Sequence, residues 1–331
     1  MSNPENPNQI TPELRASEQS APVEESSGLA VASSIPEPRP KHFFFGEDGL
    51  RSGWRLAIYL GLVSLCFVLL GLVQHLMHKW GVRPLQGMLL VQAMLVAAAI
   101  LPAAVMGMIE KRPFGKYGLP LQSALGRNFW IGAVWGFISL SLLLLAMRGT
   151  SVFYFGGLAL HGTRILKYGI FYAALFLLVA FFEEFAFRGY TQFTLGKAIG
   201  FWPSAFVFSL LFGAVHLVNP GEAWAGALAA ACIAMFFCLT LRRTGSLWWA
   251  VGFHTAWDWA ESFFYSVPDS GTMVSGHLLN PTFHGPRWLT GGSVGPEGSA
   301  LVFVVIVGMW LAFSRAYPEP KGAEQRWGKA L

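Results

Sequence analysis

The hydrophobic positions of this chain fall into long uninterrupted runs separated by short polar segments. From Arg51 onward, eight runs are long enough, or nearly so, to cross about 30 Å of hydrocarbon. They are residues 56–77, 88–109, 129–146, 168–190, 203–217, 223–241, 247–264 and 300–314. Backbone polar groups in lipid must be satisfied within their own segment, so each run is predicted to be helical, and the fourth could continue as helix to Ala198. The pattern predicts an all-α polytopic membrane protein with about eight transmembrane helices.

Composition supports this fold class and excludes others. The chain has 331 residues, of which 54% are hydrophobic and 12% charged, whereas soluble domains carry about 25% charged residues. No basic stripe accompanies exposed aromatic residues, so no nucleic-acid partner is expected. The three cysteines lie in apolar runs and are interpreted as core residues.

Two regions are predicted from the change in composition. Residues 1–50 are predicted to be a disordered cytoplasmic tail, because the first forty or so are rich in Ser, Pro, Glu and Asn. Residues 51–331 are predicted to form one membrane-embedded domain, with its motif core at about 165–264. Within the third run, Gly132 and Gly136 form a small-xxx-small pair that favours close helix packing.

Basic residues predict the orientation in the membrane. With the N-terminus inside, sixteen Lys and Arg side chains fall on the cytoplasmic side and six on the other. Cytoplasmic loops carry an excess of these residues, so both termini are predicted to be cytoplasmic. The Gly- and Pro-rich connection 266–299 is then outside. The predicted location is the cell (inner) membrane.

The fourth run contains two adjacent carboxylates, Glu183 and Glu184. An ionisable group within a membrane segment is a functional-site hypothesis, because a charge there costs roughly 3 kcal/mol or more. Glu184 and Arg188 are four residues apart and share a helix face, so they are assigned to each other. Glu183 lies on a neighbouring face and is the candidate general base. The alternative is a purely architectural Glu–Arg pair with a spare glutamate.

The seventh run carries His254 and Asp258, which are also four residues apart. The aspartate could hold the imidazole in one tautomer, or both could approach one metal. Glu261 could extend the same face, although a solvated helix end is the preferred interpretation for it.

His216 stands in an otherwise apolar run, where a lone histidine is usually structural. Three apolar helices within about 80 residues each carry a group suited to proton transfer, and such groups are expected to be one another's partners. We therefore expect one shared, water-containing cavity. Because His216 and His254 fall near opposite ends of simple spanning helices, this requires a tilted, short or displaced fifth helix.

Three motifs in this order resemble the CPBP (Abi) family of intramembrane proteases, which includes type II CAAX prenyl endopeptidases and bacterial bacteriocin-processing or immunity relatives. The family pattern is E-E-x-x-x-R, then F-x-x-x-H, then H-x-x-x-N or D. The matching residues are Glu183, Glu184 and Arg188, then Phe212 and His216, then His254 and Asp258. The resemblance covers about 100 residues of the C-terminal half.

The resemblance implies an endopeptidase that hydrolyses peptide bonds within the membrane. By analogy, Glu183 and His216 would activate the water, while His254 and Asp258 would stabilise the oxyanion or complete the site. Asp258 can donate only when protonated, which favours orienting His254 or binding a metal. Zinc or another divalent metal at Glu183, His216, His254 and Asp258 and a metal-free glutamate mechanism both stay open.

The expected partners are membrane lipid and a peptide or protein substrate with a membrane-associated segment. Lipidation of that substrate is suggested only by analogy with relatives. Two other functions remain open: a non-catalytic immunity or binding scaffold of the same family, and a proton-coupled transporter, since intramembrane Glu and His also form proton relays.

Overall fold

The computed structural model describes residues 44–46, 49–219 and 221–319. Most of the predicted N-terminal tail lies outside the described residues. Its last part forms a short antiparallel ladder in which β1 (Phe45–Gly46) pairs with β2 (Gly49–Leu50), directly before the first helix.

Helices make up most of the described chain, and all eight predicted runs are helical. The helices are α1 (Ser52–Lys79), α2 (Pro84–Ile109), α3 (Arg127–Gly149), α4 (Thr163–Arg188), α5 (Tyr190–Ile199), α6 (Phe201–His216), α7 (Trp224–Thr244), α8 (Trp248–Asp258), α9 (Arg287–Thr290) and α10 (Ala300–Ala316). A π-helical turn, Trp259–Phe264, extends α8. The prediction of an all-helical polytopic membrane protein is confirmed.

The helices differ in length more than the sequence pattern indicated. Five described segments are long and apolar enough to cross a membrane: α1, α2, α3, α7 and the continuous stretch Thr163–Ile199. The fifth run, α6, has only 16 residues, and α10 has 17. At about 1.5 Å per residue, such helices fall short of a full hydrocarbon core.

The fourth run is divided into two helices at Gly189. The chain leaves helical geometry there, and a Cβ atom at Gly189 would lie 2.4 Å from the Phe185 carbonyl oxygen. The Thr191 hydroxyl donates to the carbonyl oxygens of Ala186 and Phe187 at 2.6 and 3.0 Å. These bonds cap the end of α4 and place Arg188 in its last turn.

The small-residue pair in α3 allows α8 to approach closely. A Cβ atom at Gly132 would lie 2.0 Å from the Trp249 carbonyl oxygen, and one at Gly136 would lie 2.2 Å from that of Phe253. Any larger residue would therefore push the two backbones apart. This packing, expected from the sequence, fixes the position of α8, the helix that carries His254.

The connection from α8 to α10 is folded rather than extended. β4 (Thr282–Phe283) pairs antiparallel with β3 (Phe153–Tyr154), which follows α3. The 3₁₀ turn Pro296–Gly298 then leads into α10, whose first turn is capped by the Ser299 hydroxyl. The connection thus covers one end of α7 and α8. Which side of the membrane it faces remains a prediction.

Candidate active site

The three motifs meet at one cavity of about 290 Å³. Its wall includes all four residues predicted to form the site: Glu183 from α4, His216 from α6, and His254 and Asp258 from α8. The shared cavity inferred from the scattered polar residues is therefore present in the structure.

Glu184 lies at the centre of a buried network that joins two motifs. Arg188 Nη1 donates to Glu184 Oε1 at 3.0 Å, and both side chains are fully buried. His254 Nδ1 also lies 3.0 Å from that oxygen. An ionised carboxylate can only accept, so Nδ1 carries the proton in this contact. Glu184 therefore holds both its expected partner, Arg188, and the imidazole of the third motif.

Phe212 completes this network, and sequence reasoning gave it no role. The Arg188 guanidinium carbon lies 4.3 Å from the centre of the Phe212 ring, a distance typical of a cation–π contact. The centre of the His216 ring lies 4.5 Å from that of Phe212. The phenylalanine of the second motif thus joins the buried cation to the histidine four residues later.

The two adjacent glutamates have different environments. The Glu184 side chain is 0% exposed and is bonded through Oε1 to Arg188 and His254, whereas the Glu183 side chain is 25% exposed and lies on the cavity wall. Glu183 Oε2 is 3.8 Å from His254 Nε2. Of the two carboxylates, only that of Glu183 can reach water in the cavity.

Asp258 contacts the opposite edge of the same imidazole. Its Oδ2 lies 3.4 Å from His254 Nε2, as their four-residue spacing predicted. The tautomer-fixing contact expected from Asp258 is instead made by Glu184 at Nδ1. Spacing along α8 could not reveal this, because Glu184 lies on α4, 70 residues away in sequence.

His216 lines the shared cavity from α6, and this helix is short, which is one of the three alternatives that the sequence predicted for it. Its Nδ1 lies 2.7 Å from the Phe212 carbonyl oxygen. A carbonyl oxygen only accepts, so Nδ1 carries a proton, and in the neutral imidazole Nε2 is then the acceptor. The geometry leaves His216 with a basic nitrogen for the cavity.

The four predicted residues do not offer one zinc ion a common set of ligand atoms. Zinc ligands lie about 2.0–2.3 Å from the metal, so they lie within roughly 4.6 Å of one another. Among the described residues, a different group of three carboxylates meets a comparable limit of 4.8 Å, and these four residues do not. Zinc dependence remains a prediction that metal analysis of the purified protein tests.

Glu261 is buried, so the prediction that it lies at a solvated helix end is wrong. It is 0% exposed rather than solvated, because the π-helical turn continues α8 beneath the folded connection. Its neighbours there are Asp269 and Glu297, which line the same cavity as Glu183. Burial and the nearby Glu297 carboxylate raise the pKa of Asp269, in the connection, to about 8. The cavity is thus lined by two sets of carboxylates: Glu183 and Asp258 on the helices, and Asp269 and Glu297 in the connection.

The fold and the site together define a polytopic membrane protein whose polar residues meet in one cavity between its helices. In comparison with known families, the model described as "Type II CAAX prenyl endopeptidase Rce1-like" matches residues 165–260. This confirms the predicted resemblance to CAAX-type proteases, and the chain carries an Rce1-like domain over these residues. No curated protein and no solved structure matched the chain.

The matched segment contains all three motifs and ends just before Glu261. A CAAX-type intramembrane protease is therefore the class to which the domain points, and the chain is an integral membrane protein.

Proposed function

We propose that this protein hydrolyses peptide bonds of membrane-associated substrates, with Glu183 as the general base. The observation that carries the proposal is the contrast between two adjacent carboxylates on one helix. Glu184 is buried and bonded to Arg188 and His254, while Glu183 keeps a quarter of its side chain exposed on the cavity wall. A base must reach the proton that it removes, and Glu183 meets that condition.

The proposed reaction begins with a water molecule between Glu183 and the scissile carbonyl carbon. The water oxygen forms a bond to that carbon as one of its protons passes to the Glu183 carboxylate. The carbonyl oxygen becomes an oxyanion, and the carbon becomes tetrahedral. When the carbon–nitrogen bond breaks, the proton held by Glu183 passes to the departing amine, which leaves a carboxylic acid and an amine.

The two histidines and Asp258 have supporting roles in this proposal. His216, with its Nδ1 proton donated to Phe212, presents Nε2 as a second acceptor for the attacking water. His254 is held through Nδ1 by Glu184, so its Nε2 edge faces Glu183 and Asp258. When protonated there, it would stabilise the oxyanion, with Asp258 as its counter-charge.

The cavity wall favours a substrate with an apolar segment. Beside the polar residues, it is lined by Met88 of α2 and by Leu175, Phe176 and Val179 of α4. These side chains suit a peptide that enters from the bilayer, and we infer that its scissile bond lies close to a membrane-associated or lipidated part of the chain.

The test uses purified full-length protein and a panel of membrane-tethered peptides, with prenylated and unmodified members. We expect fragment pairs whose summed mass equals that of the substrate plus one water. Glu183→Gln should lose the activity at equal folded yield. Glu319→Gln is the control, because it removes a carboxylate that pairs with Arg242 and Arg243 instead.

Two outcomes would overturn the proposal. Absence of cleavage across the whole panel, with the protein folded, would favour the non-catalytic scaffold. Proton flux in proteoliposomes that requires Glu183 in the absence of any cleavage would favour the transporter.

A further inference from the structure

Three carboxylates come together where the end of the α8 extension meets the connection to α10. One oxygen from each of Glu261, Asp269 and Glu297 lies within 4.8 Å of the others. The three residues belong to the π-helical turn, to the start of the connection and to the 3₁₀ turn before α10. π-Helical turns are rare and occur frequently at functional sites.

Two of these carboxylates are held in place by hydrogen bonds from the protein. Glu297 Oε1 accepts from the Trp257 indole at 3.1 Å, and Oε2 accepts from the Ser270 amide and hydroxyl at 3.1 and 2.7 Å. Asp269 Oδ2 accepts from the Ser262 hydroxyl at 3.0 Å. These bonds fix the positions of both groups but supply no positive charge.

Glu261 is the unexplained member of the cluster. It is 0% exposed, and neither of its carboxylate oxygens has a hydrogen-bond partner among the described residues. Trp257, which is near enough to interact with it, donates its indole proton to Glu297. A buried carboxylate without a partner costs several kcal/mol. The side chain therefore points to a ligand at this position.

No Lys or Arg side chain of the described residues compensates the charge of these three carboxylates. No ion pair between the described residues joins a Lys or Arg to Glu261, Asp269 or Glu297. Buried charges are normally paired or bound to metals. Three carboxylates that share one small volume thus require a cation or protons.

We propose that Glu261, Asp269 and Glu297 bind a hard divalent cation, with calcium the best fit. Calcium binds oxygen ligands at about 2.3–2.6 Å, so two ligands across one ion lie up to roughly 5 Å apart. The 4.8 Å limit that the three oxygens satisfy is consistent with one such ion. An all-carboxylate set disfavours zinc, which prefers nitrogen and sulfur ligands.

The site is separate from the proposed reacting groups but shares their cavity. Asp269 and Glu297 line the cavity together with Glu183 and His254. A cation at the three carboxylates would join the helix extension, the connection and the turn before α10. It would thereby hold the cavity wall that the connection forms.

The test is a calcium titration of metal-stripped, full-length protein in detergent, followed by thermal unfolding. We expect a saturable rise in the unfolding temperature, because an ion that binds only the folded state stabilises it by mass action. Glu261→Gln and Asp269→Asn keep side-chain volume but remove a charge, so each should lose the rise. Glu319→Gln should keep it.

Terbium luminescence gives an independent readout, since Trp257 contacts Glu297 and can sensitise a bound lanthanide. We expect calcium to displace terbium from wild type and from Glu183→Gln, and we expect little sensitised emission from Asp269→Asn. Equal calcium responses in wild type and both amide variants would overturn the proposal. So would a lack of saturable binding by wild type, or binding that disappears with Glu183→Gln.

Discussion

Two groups of buried carboxylates flank His254, and they differ in how their charge is compensated. Glu184 has an arginine four residues later on its own helix, and the pair is fully buried. Glu261 is equally buried, but its neighbours are two further carboxylates. The first group contains its own counter-charge, Arg188. The second group needs a cation or protons from the solution, because no Lys or Arg of the described residues pairs with it.

Because of this difference, the Glu184–Arg188 pair is a fixed part of the fold, whereas the three-carboxylate cluster is a site at which an ion can bind and dissociate. An internal ion pair is present whenever the protein is folded, so Glu184 can hold His254 regardless of the solution. A cluster that needs an external cation responds to the concentration of that ion. The comparison therefore predicts that the two groups react differently to mutation and to added salts.

The largest effect on stability is expected at Arg188. Arg188→Ala removes the arginine that compensates the buried Glu184 charge, and breaking such a buried pair costs roughly 3–5 kcal/mol. Arg188→Ala combined with Glu184→Ala should recover part of that loss, since it removes the stranded charge. Unfolding in denaturant measures both, and Arg315→Ala, on the exposed end of α10, is the control. Equal stability of the single and double variants with wild type would refute the pair.

A smaller effect is expected where α3 supports α8. Gly136→Ala puts a methyl group 2.2 Å from the Phe253 carbonyl oxygen, one residue before His254. Overpacking of this kind costs about 1–3 kcal/mol, and the displaced helix should also slow cleavage. Gly149→Ala in the same helix meets nothing within 4 Å and should be neutral. If both variants unfold alike, the close packing does not position α8.

A stability effect of similar size is expected at Phe212. A desolvated cation–π contact contributes about 2 kcal/mol, so Phe212→Leu should destabilise the protein by about that amount. The matched variant Phe206→Leu, on an exposed position of the same helix, should change little. Added calcium should stabilise wild type and Phe212→Leu by the same amount and leave the difference between them unchanged, because this contact belongs to the internally compensated group. A calcium response that differs between the two proteins would contradict the separation of the two groups.

The spacing of polar residues predicted much of the site. Four-residue intervals on a helix predicted the Glu184–Arg188 pair and the proximity of His254 to Asp258, because both depend only on helical periodicity. The shared cavity followed from the need of intramembrane charges for partners. Local sequence could reveal the two pairs because one helix supplies both members of each pair.

Contacts between distant segments could not be predicted in this way. The bond from His254 to Glu184 joins α8 to α4, and the packing of Phe212 on Arg188 joins α6 to α4. The burial of Glu261 depends on how the connection folds back over the α8 extension. An apolar run also predicts a helix better than it predicts where the helix is interrupted, so the break at Gly189 emerged only in three dimensions, whereas a short fifth helix was among the predicted alternatives.

The central claim is that Glu183, not Glu184, removes a proton from the attacking water. The most direct measurement is the single-turnover cleavage rate of Glu183→Gln at equal concentrations of folded protein, with saturating substrate. General-base catalysis contributes about 10²–10⁴-fold, so the account predicts a rate lower by that factor with wild-type stability. A rate near that of wild type from well-folded Glu183→Gln protein would contradict the account.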